Sequence, residues 1–397
     1  MISQCLRSFK HGVVPNLLKG RVFLTKRNFL TALLAFSVGM MLLFESAEIS
    51  EGIRKGLYLC SFSVIPALFP FMALSVFICK SSAADFFDVL FKPVLRFLKI
   101  PQNCGGILLS AVIGGYPAAA KCINDLVICG GLDRKYAARL LCFCVNAGPS
   151  FLIGAVGIGV FGSIKIGFLL FAAQFLSAAI IAVFLSLFSE KPEENKLFAA
   201  TERSSNASCV IESVVSAAES CFRMCAFIIL ACGTLELVFE GQIFSAVSNI
   251  PAAKAFLTGF FEVTAGCLAC GEINGFWAVA TAGAIASFSG ISVILQISAL
   301  TDRSGISLVP FLISRLFHSV ITFCMLWFFL LFSGETVSAF SVKGGSYEAV
   351  LSSSAPAFVS LLCMAALFLL SLVPPKSEKE PAFRRLWNRF LSKQTKF

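Results

Sequence analysis

Long apolar runs separated by short polar segments make up most of this chain. A helix needs about 20 apolar residues to cross a bilayer. Runs of that character extend from Leu57 to Cys79, Ala137 to Gly162, Ile166 to Phe188, Val214 to Phe239, Phe276 to Leu300, Leu308 to Phe332 and Ala355 to Val373, and a first helix covers Phe29 to Phe44. The pattern predicts an all-α polytopic membrane protein with about eight full transmembrane crossings. Two further stretches, Cys104 to Gly131 and Pro251 to Gly271, are apolar but interrupted. The first contains "IGGYPAAAKCIND", residues 113–125. Glycines, a proline and a lysine are poor material for a lipid-facing helix, because the break frees backbone groups and the ammonium must be desolvated.

Basic residues decide how the interrupted stretches run, since Lys and Arg collect in cytoplasmic loops. If Cys104 to Gly131 crossed the bilayer, "FKPVLRFLK" before it would lie inside and "LDRKYAAR" after it, with Arg134, Lys135 and Arg139, would lie outside. A re-entrant hairpin keeps both inside. Treating Pro251 to Gly271 in the same way leaves Glu236, Glu240 and Glu272 outside and both termini cytoplasmic. The chain then divides into a basic cytoplasmic segment (1–28), a first transmembrane helix and loop (29–55), a first repeat (56–188), a polar linker (189–208), a second repeat (209–333), a loop and last transmembrane helix (334–374) and a basic amphipathic tail (375–397).

Each repeat runs span, hairpin, broken span, span, at an offset of roughly 142 to 145 residues. "GGYPAAAK" aligns with "FFEVTAG", "NAGPSFLIG" with "FSGISVILQ", and "AAQFLSAA" with "ISRLFHSV". Three full crossings per half make the second repeat inverted relative to the first. Inverted repeats with broken helices point to a secondary transporter whose site lies near the bilayer midplane.

Composition agrees: 57% of the 397 residues are hydrophobic and 14% charged, against about 25% charged in soluble domains. The net charge of +10 belongs to membrane orientation rather than to nucleic acid, because it gathers at the ends and in a few short loops. "PAFRRLWNRFLSK" near the C-terminus reads as an interfacial helix on an anionic leaflet, and Arg7, Lys10, Lys19, Arg21, Lys26 and Arg27 place anionic headgroups at the other end too. No A-x-A-like cleavage site follows the first apolar run, so it reads as an uncleaved helix. Sixteen scattered cysteines and two histidines predict no metal centre and no cofactor. No nucleophile and base pair points to an enzyme.

The candidate site residues lie at the interruptions. Gly115 and Pro117 break the first hairpin, exposing helix amides that attract anions, and Lys121 adds a positive charge one turn later. In the broken helix of the first half, Pro149 frees a carbonyl near position 145, with Asn146 and Ser150 beside it. Its counterpart offers Ser289, Ser292 and Gln296. Glu262 occupies the second hairpin opposite Pro117, where it would hold a coupling proton or sodium ion, pair with Lys121, or meet water. Arg315 and His318 share a helix face inside a span; the arginine suits a bidentate carboxylate clamp and the histidine a hydrogen bond or a proton.

"GGYPAAAK", "NAGPSFLIG", "GFFEVTAG" and "SFSGISVILQ", in this order and spacing, resemble the sporulation integral membrane protein YlbJ family, with its paired nucleoside-recognition (Gate) domains, over roughly residues 30 to 375. Ala119 and Ser289 stand where glycines are usual in that family. The resemblance implies a multi-pass protein of the outer forespore membrane that moves dipicolinate, a small aromatic dianion, toward the forespore. Alternatives are a nucleoside-type transporter and a non-transporting scaffold for other sporulation membrane proteins.

Overall fold

The computed structural model describes residues 26–190, 192, 206–240 and 250–333. The final expected crossing, Ala355 to Val373, the basic tail and most of the linker lie outside the described residues. The chain divides into two units, residues 1–50 and 51–397. The first contributes α1 (Lys26–Phe44) and the opening turn of α2 (Ser46–Lys80); all that follows concerns the second.

Every regular element among the described residues is helical. In the first half, α2 leads to the short helices α3 (Ala83–Leu90) and α4 (Lys92–Phe97). Next come α5 (Gly105–Ile113), α6 (Gly115–Ile128), α7 (Arg134–Cys144), a π-wound segment (Ser150–Val160) and α8 (Ile164–Leu187). The second half holds α9 (Asn206–Glu240), α10 (Pro251–Phe261), α11 (Val263–Ala269), α12 (Phe276–Phe288), α13 (Gly290–Thr301) and α14 (Val309–Ser333).

Five helices are long and apolar enough to cross a membrane: Ser46–Lys80, Ile164–Leu187, Cys209–Phe239, Phe276–Ser304 and Val309–Phe332. Each coincides with one of the seven crossings expected within the described residues. Phe29–Phe44 is apolar but shorter. Ala137 to Gly162 is not one helix, because the chain unwinds between Cys144 and Ser150.

The distribution of polarity identifies the solvent. Phe168, Phe175, Phe184, Leu316, Phe317 and Phe328 stand exposed, whereas Gln174, Glu262, Gln296, Arg315 and His318 are buried. An apolar exterior around a polar interior suits lipid, where backbone and polar groups must be satisfied within the protein. Helices close on one another through small residues, as expected where lipid supplies no hydrophobic drive between helices. A methyl group on Gly52 would lie 2.6 Å from the Cys232 carbonyl, and one on Gly56 would lie 2.9 Å from Ile229 Cα, so α2 meets the backbone of α9 directly.

The two basic segments that the charge pattern assigns to one side adjoin. Arg139 donates to the carbonyls of Leu98 and Lys99, the latter at 2.9 Å. The helices on either side of each hairpin break, α5 with α6 and α10 with α11, pack against each other.

Candidate functional site

Four helix interruptions meet inside the second unit, and each has a local cause. Between α5 and α6, Gly115 takes φ 73°, a left-handed conformation that costs other residues roughly 1–2 kcal/mol. Gly114 has no room for a side chain, which would strike the Ser75 hydroxyl and Ala118. Pro117 falls in the first turn of α6, where its missing N–H would have no partner anyway. Between α7 and the π-wound segment, Val145 turns extended and Pro149 restarts the winding. Between α12 and α13, Ser289 (φ 79°) and Gly290 (φ 69°) are both left-handed. Between α10 and α11, Glu262 is extended (φ −139°, ψ 118°) and its Oε2 accepts the Ala265 N–H at 2.6 Å, capping α11.

A broken helix in lipid leaves carbonyls that water does not solvate, so the protein must supply the donors. At the end of α7, the Asn146 amide donates to Phe143 O at 2.7 Å and Ser314 to Cys142 O at 3.2 Å. The Gln174 amide reaches Ala147 O at 3.2 Å. At the end of α12, Ser319 donates to Ala284 O at 2.9 Å and Tyr116 to Ala286 O at 2.5 Å. Arg315 spans both breaks: Nη1 lies 2.7 Å from Val145 O and 3.5 Å from Ser287 O, and Nη2 donates to Cys142 O. The guanidinium thus meets the negative ends of two helices. It also lies 5.1 Å from the Phe311 ring centroid.

A chain of hydroxyls ties the same helices together. Thr322 Oγ1 accepts from Ser287 at 2.8 Å and lies 2.7 Å from Ser177 Oγ. His318 Nε2 lies 3.0 Å from Gln174 O; since a carbonyl only accepts, that nitrogen carries the proton.

Where the hairpin tips meet the broken helices, a cavity of about 20 Å³ remains, lined by Gly115, Tyr116, Gly148, Glu262, Thr264 and Gln296, with apolar side chains of α2 and α9 closing it. That volume holds about one water-sized particle. Oε1 of Glu262 and both polar atoms of the Gln296 amide have no hydrogen-bond partner.

No family model matches the chain, and no solved structure matches it. The sporulation integral membrane protein YlbJ of Bacillus subtilis (strain 168) is 25% identical over 304 residues, covering 68% of this chain and 74% of that protein. The likeness supports membership of the YlbJ family. The chain is a multi-pass membrane protein homologous to a sporulation protein.

In this YlbJ relative the structure sorts the candidates into three groups. Gly115, Glu262 and Gln296 line the cavity. Asn146, Arg315 and His318 serve the broken ends or the α8–α14 contact. Ser150, Ser289 and Ser292 belong to the helix starts beside those breaks; the hydroxyls of Ser150 and Ser292 are buried with no bonded partner, and Pro117 sits in the first turn of α6. Lys121 lies apart from the cavity, 3.7 Å from Asp125 on the same helix, in a network that also joins Lys80 to Asp125 and Glu212. An i, i+4 pairing with Asp125 was visible in "KCIND". Gln174, Tyr116, Thr264 and Thr322 were missed as candidates, although Gln174 stands in the motif aligned with the one holding Arg315, Tyr116 in "GGYPAAAK" and Thr264 in "FFEVTAG"; nothing in its local sequence marks Thr322.

Proposed function

We propose that the chain moves a small anionic solute across the membrane by alternating access between two inverted repeats. The solute we favour is dipicolinate, carried toward the forespore across the outer forespore membrane. The observation behind this reading is the meeting of four helix breaks, two from each half, around one small cavity in the core of a multi-pass protein. Packed α-helices without function have no reason to interrupt their hydrogen bonding in lipid, and such interruptions near the middle of transporters form the substrate and ion sites. Each half places a hairpin tip against its own broken helix: Gly115 adjoins Gly148, and Gly290 adjoins Phe261 and Val263. This arrangement supports an internal repeat.

The cavity is too small for an aromatic dianion, so the reading requires the tips to part from the breaks before solute enters. Arg315 already holds both breaks at once. Its guanidinium would exchange one set of carbonyls for a carboxylate when the halves separate, which is the differential contact that alternating access needs.

Uptake of labelled dipicolinate into liposomes containing the purified protein tests the proposal, with labelled nucleoside in a parallel arm and protein-free liposomes as control. Saturable dipicolinate uptake above the control supports it. Uptake of nucleoside alone favours the nucleoside-type reading, and uptake of neither solute from properly folded protein leaves the scaffold.

A further inference from the structure

Glu262 poses a problem that solute transport does not solve. It is 0% exposed, and its Oε1 has no hydrogen-bond partner. Among the described residues it forms no ion pair. Arg315 is engaged with carbonyls and Lys121 with Asp125. A buried carboxylate without a positive partner is costly. Gln296, 3% exposed, lines the same cavity with neither amide atom bonded, and Thr264 lines it as well. Carboxylate and amide oxygens are hard donors, the kind that hold alkali and alkaline-earth cations rather than soft metals.

Charge and volume narrow the choice. One carboxylate balances one positive charge, so a monovalent ion leaves the cavity neutral in a low-dielectric setting, whereas a divalent ion would leave an unbalanced charge. About 20 Å³ accommodates one small sphere without its hydration shell. We propose that this cavity binds a single dehydrated monovalent metal cation, sodium or potassium, through Glu262 Oε1 and the Gln296 amide oxygen. Binding stands on the cavity alone. Only the further step, that the ion is the one coupled to solute movement, rests on the transport reading.

The geometry also predicts an order of events. Glu262 caps α11 through its other oxygen, and Gln296 belongs to α13, beyond the break at Ser289 and Gly290. An ion held by both therefore ties the second hairpin to its broken helix and favours the closed arrangement.

Thermal unfolding of the purified full chain in detergent, titrated with sodium chloride or potassium chloride against choline chloride at constant ionic strength and pH, tests the site. Sodium, potassium or both should raise Tm by several degrees in a saturable way that choline does not reproduce. In Glu262→Gln, which keeps an oxygen for the Ala265 N–H, the response should disappear while Tm in choline stays near that of the wild type. In Gln296→Leu, which breaks no hydrogen bond, the half-saturating concentration should rise about tenfold, the equivalent of about 1.4 kcal/mol. Identical behaviour in sodium, potassium and choline overturns the proposal, including the case where only pH moves Tm, since Glu262 would then hold a proton. So does an undiminished cation response in Glu262→Gln. Dipicolinate uptake is read separately, so loss of that activity leaves the binding result standing.

Discussion

Arg315 and Glu262 are both wholly buried, in a protein whose surroundings offer neither of them water, yet their environments differ. Arg315 meets three carbonyls at the ends of two broken helices and the face of Phe311. Glu262 spends one oxygen on a helix cap and leaves the other without a partner. Both terminal nitrogens of the arginine are engaged by fixed dipoles of the fold, and only Nε is without a partner, so in this conformation its first duty is to hold the breaks together. The carboxylate is only half saturated by the fold, which is the condition of a group awaiting a ligand. A buried charge by itself therefore marks either role, and its partners distinguish them.

Arg315→Leu strips the donor from both breaks and should cost several kcal/mol, at about 1–3 kcal/mol for each buried carbonyl left unsatisfied. Denaturant titration of detergent-solubilised protein would measure it. Arg315→Lys should recover part of the loss but not all, because a single ammonium lacks the fork that reaches both helix ends. Next in size, Gly115→Ala places a side chain at φ 73° where the nearest atom to the new methyl is 3.6 Å away. Its penalty should be backbone strain alone, roughly 1–2 kcal/mol by the same titration. Thr322→Val removes the acceptor between Ser177 and Ser287, and about 0.6–1.7 kcal/mol is expected for such a contact within a membrane bundle. Glu262→Gln should be the mildest, within about 0.5 kcal/mol in cation-free buffer, since the cap oxygen persists. If Glu262→Gln proved as damaging as Arg315→Leu, the contrast between the two buried charges would be lost.

Much of the architecture could be read locally. Apolar runs located the five long helices because span length is set by bilayer thickness, and glycine and proline located the first hairpin and both broken helices because those residues act on their own backbone. Charge pattern placed "FKPVLRFLK" and "LDRKYAAR" together, and Arg139 joins them. Lys121 was weighted toward the site because a lysine beside a helix break is costly, while Asp125 four residues on was overlooked. Within Ala137 to Gly162 the break at Asn146 to Ser150 was legible, while the π winding that follows it was not.

By itself the sequence determined which segments are helices, where the helices break and which charges enter the membrane, since each of these depends on residues within a turn or two. Tertiary structure decided which donor reaches which freed carbonyl. Arg315 and Val145 stand 170 positions apart, as do Tyr116 and Ala286, and nothing local pairs them. It also decided that Glu262 keeps one oxygen free. A hydrogen bond not made depends on every neighbour's position at once, and only the packed chain contains that information.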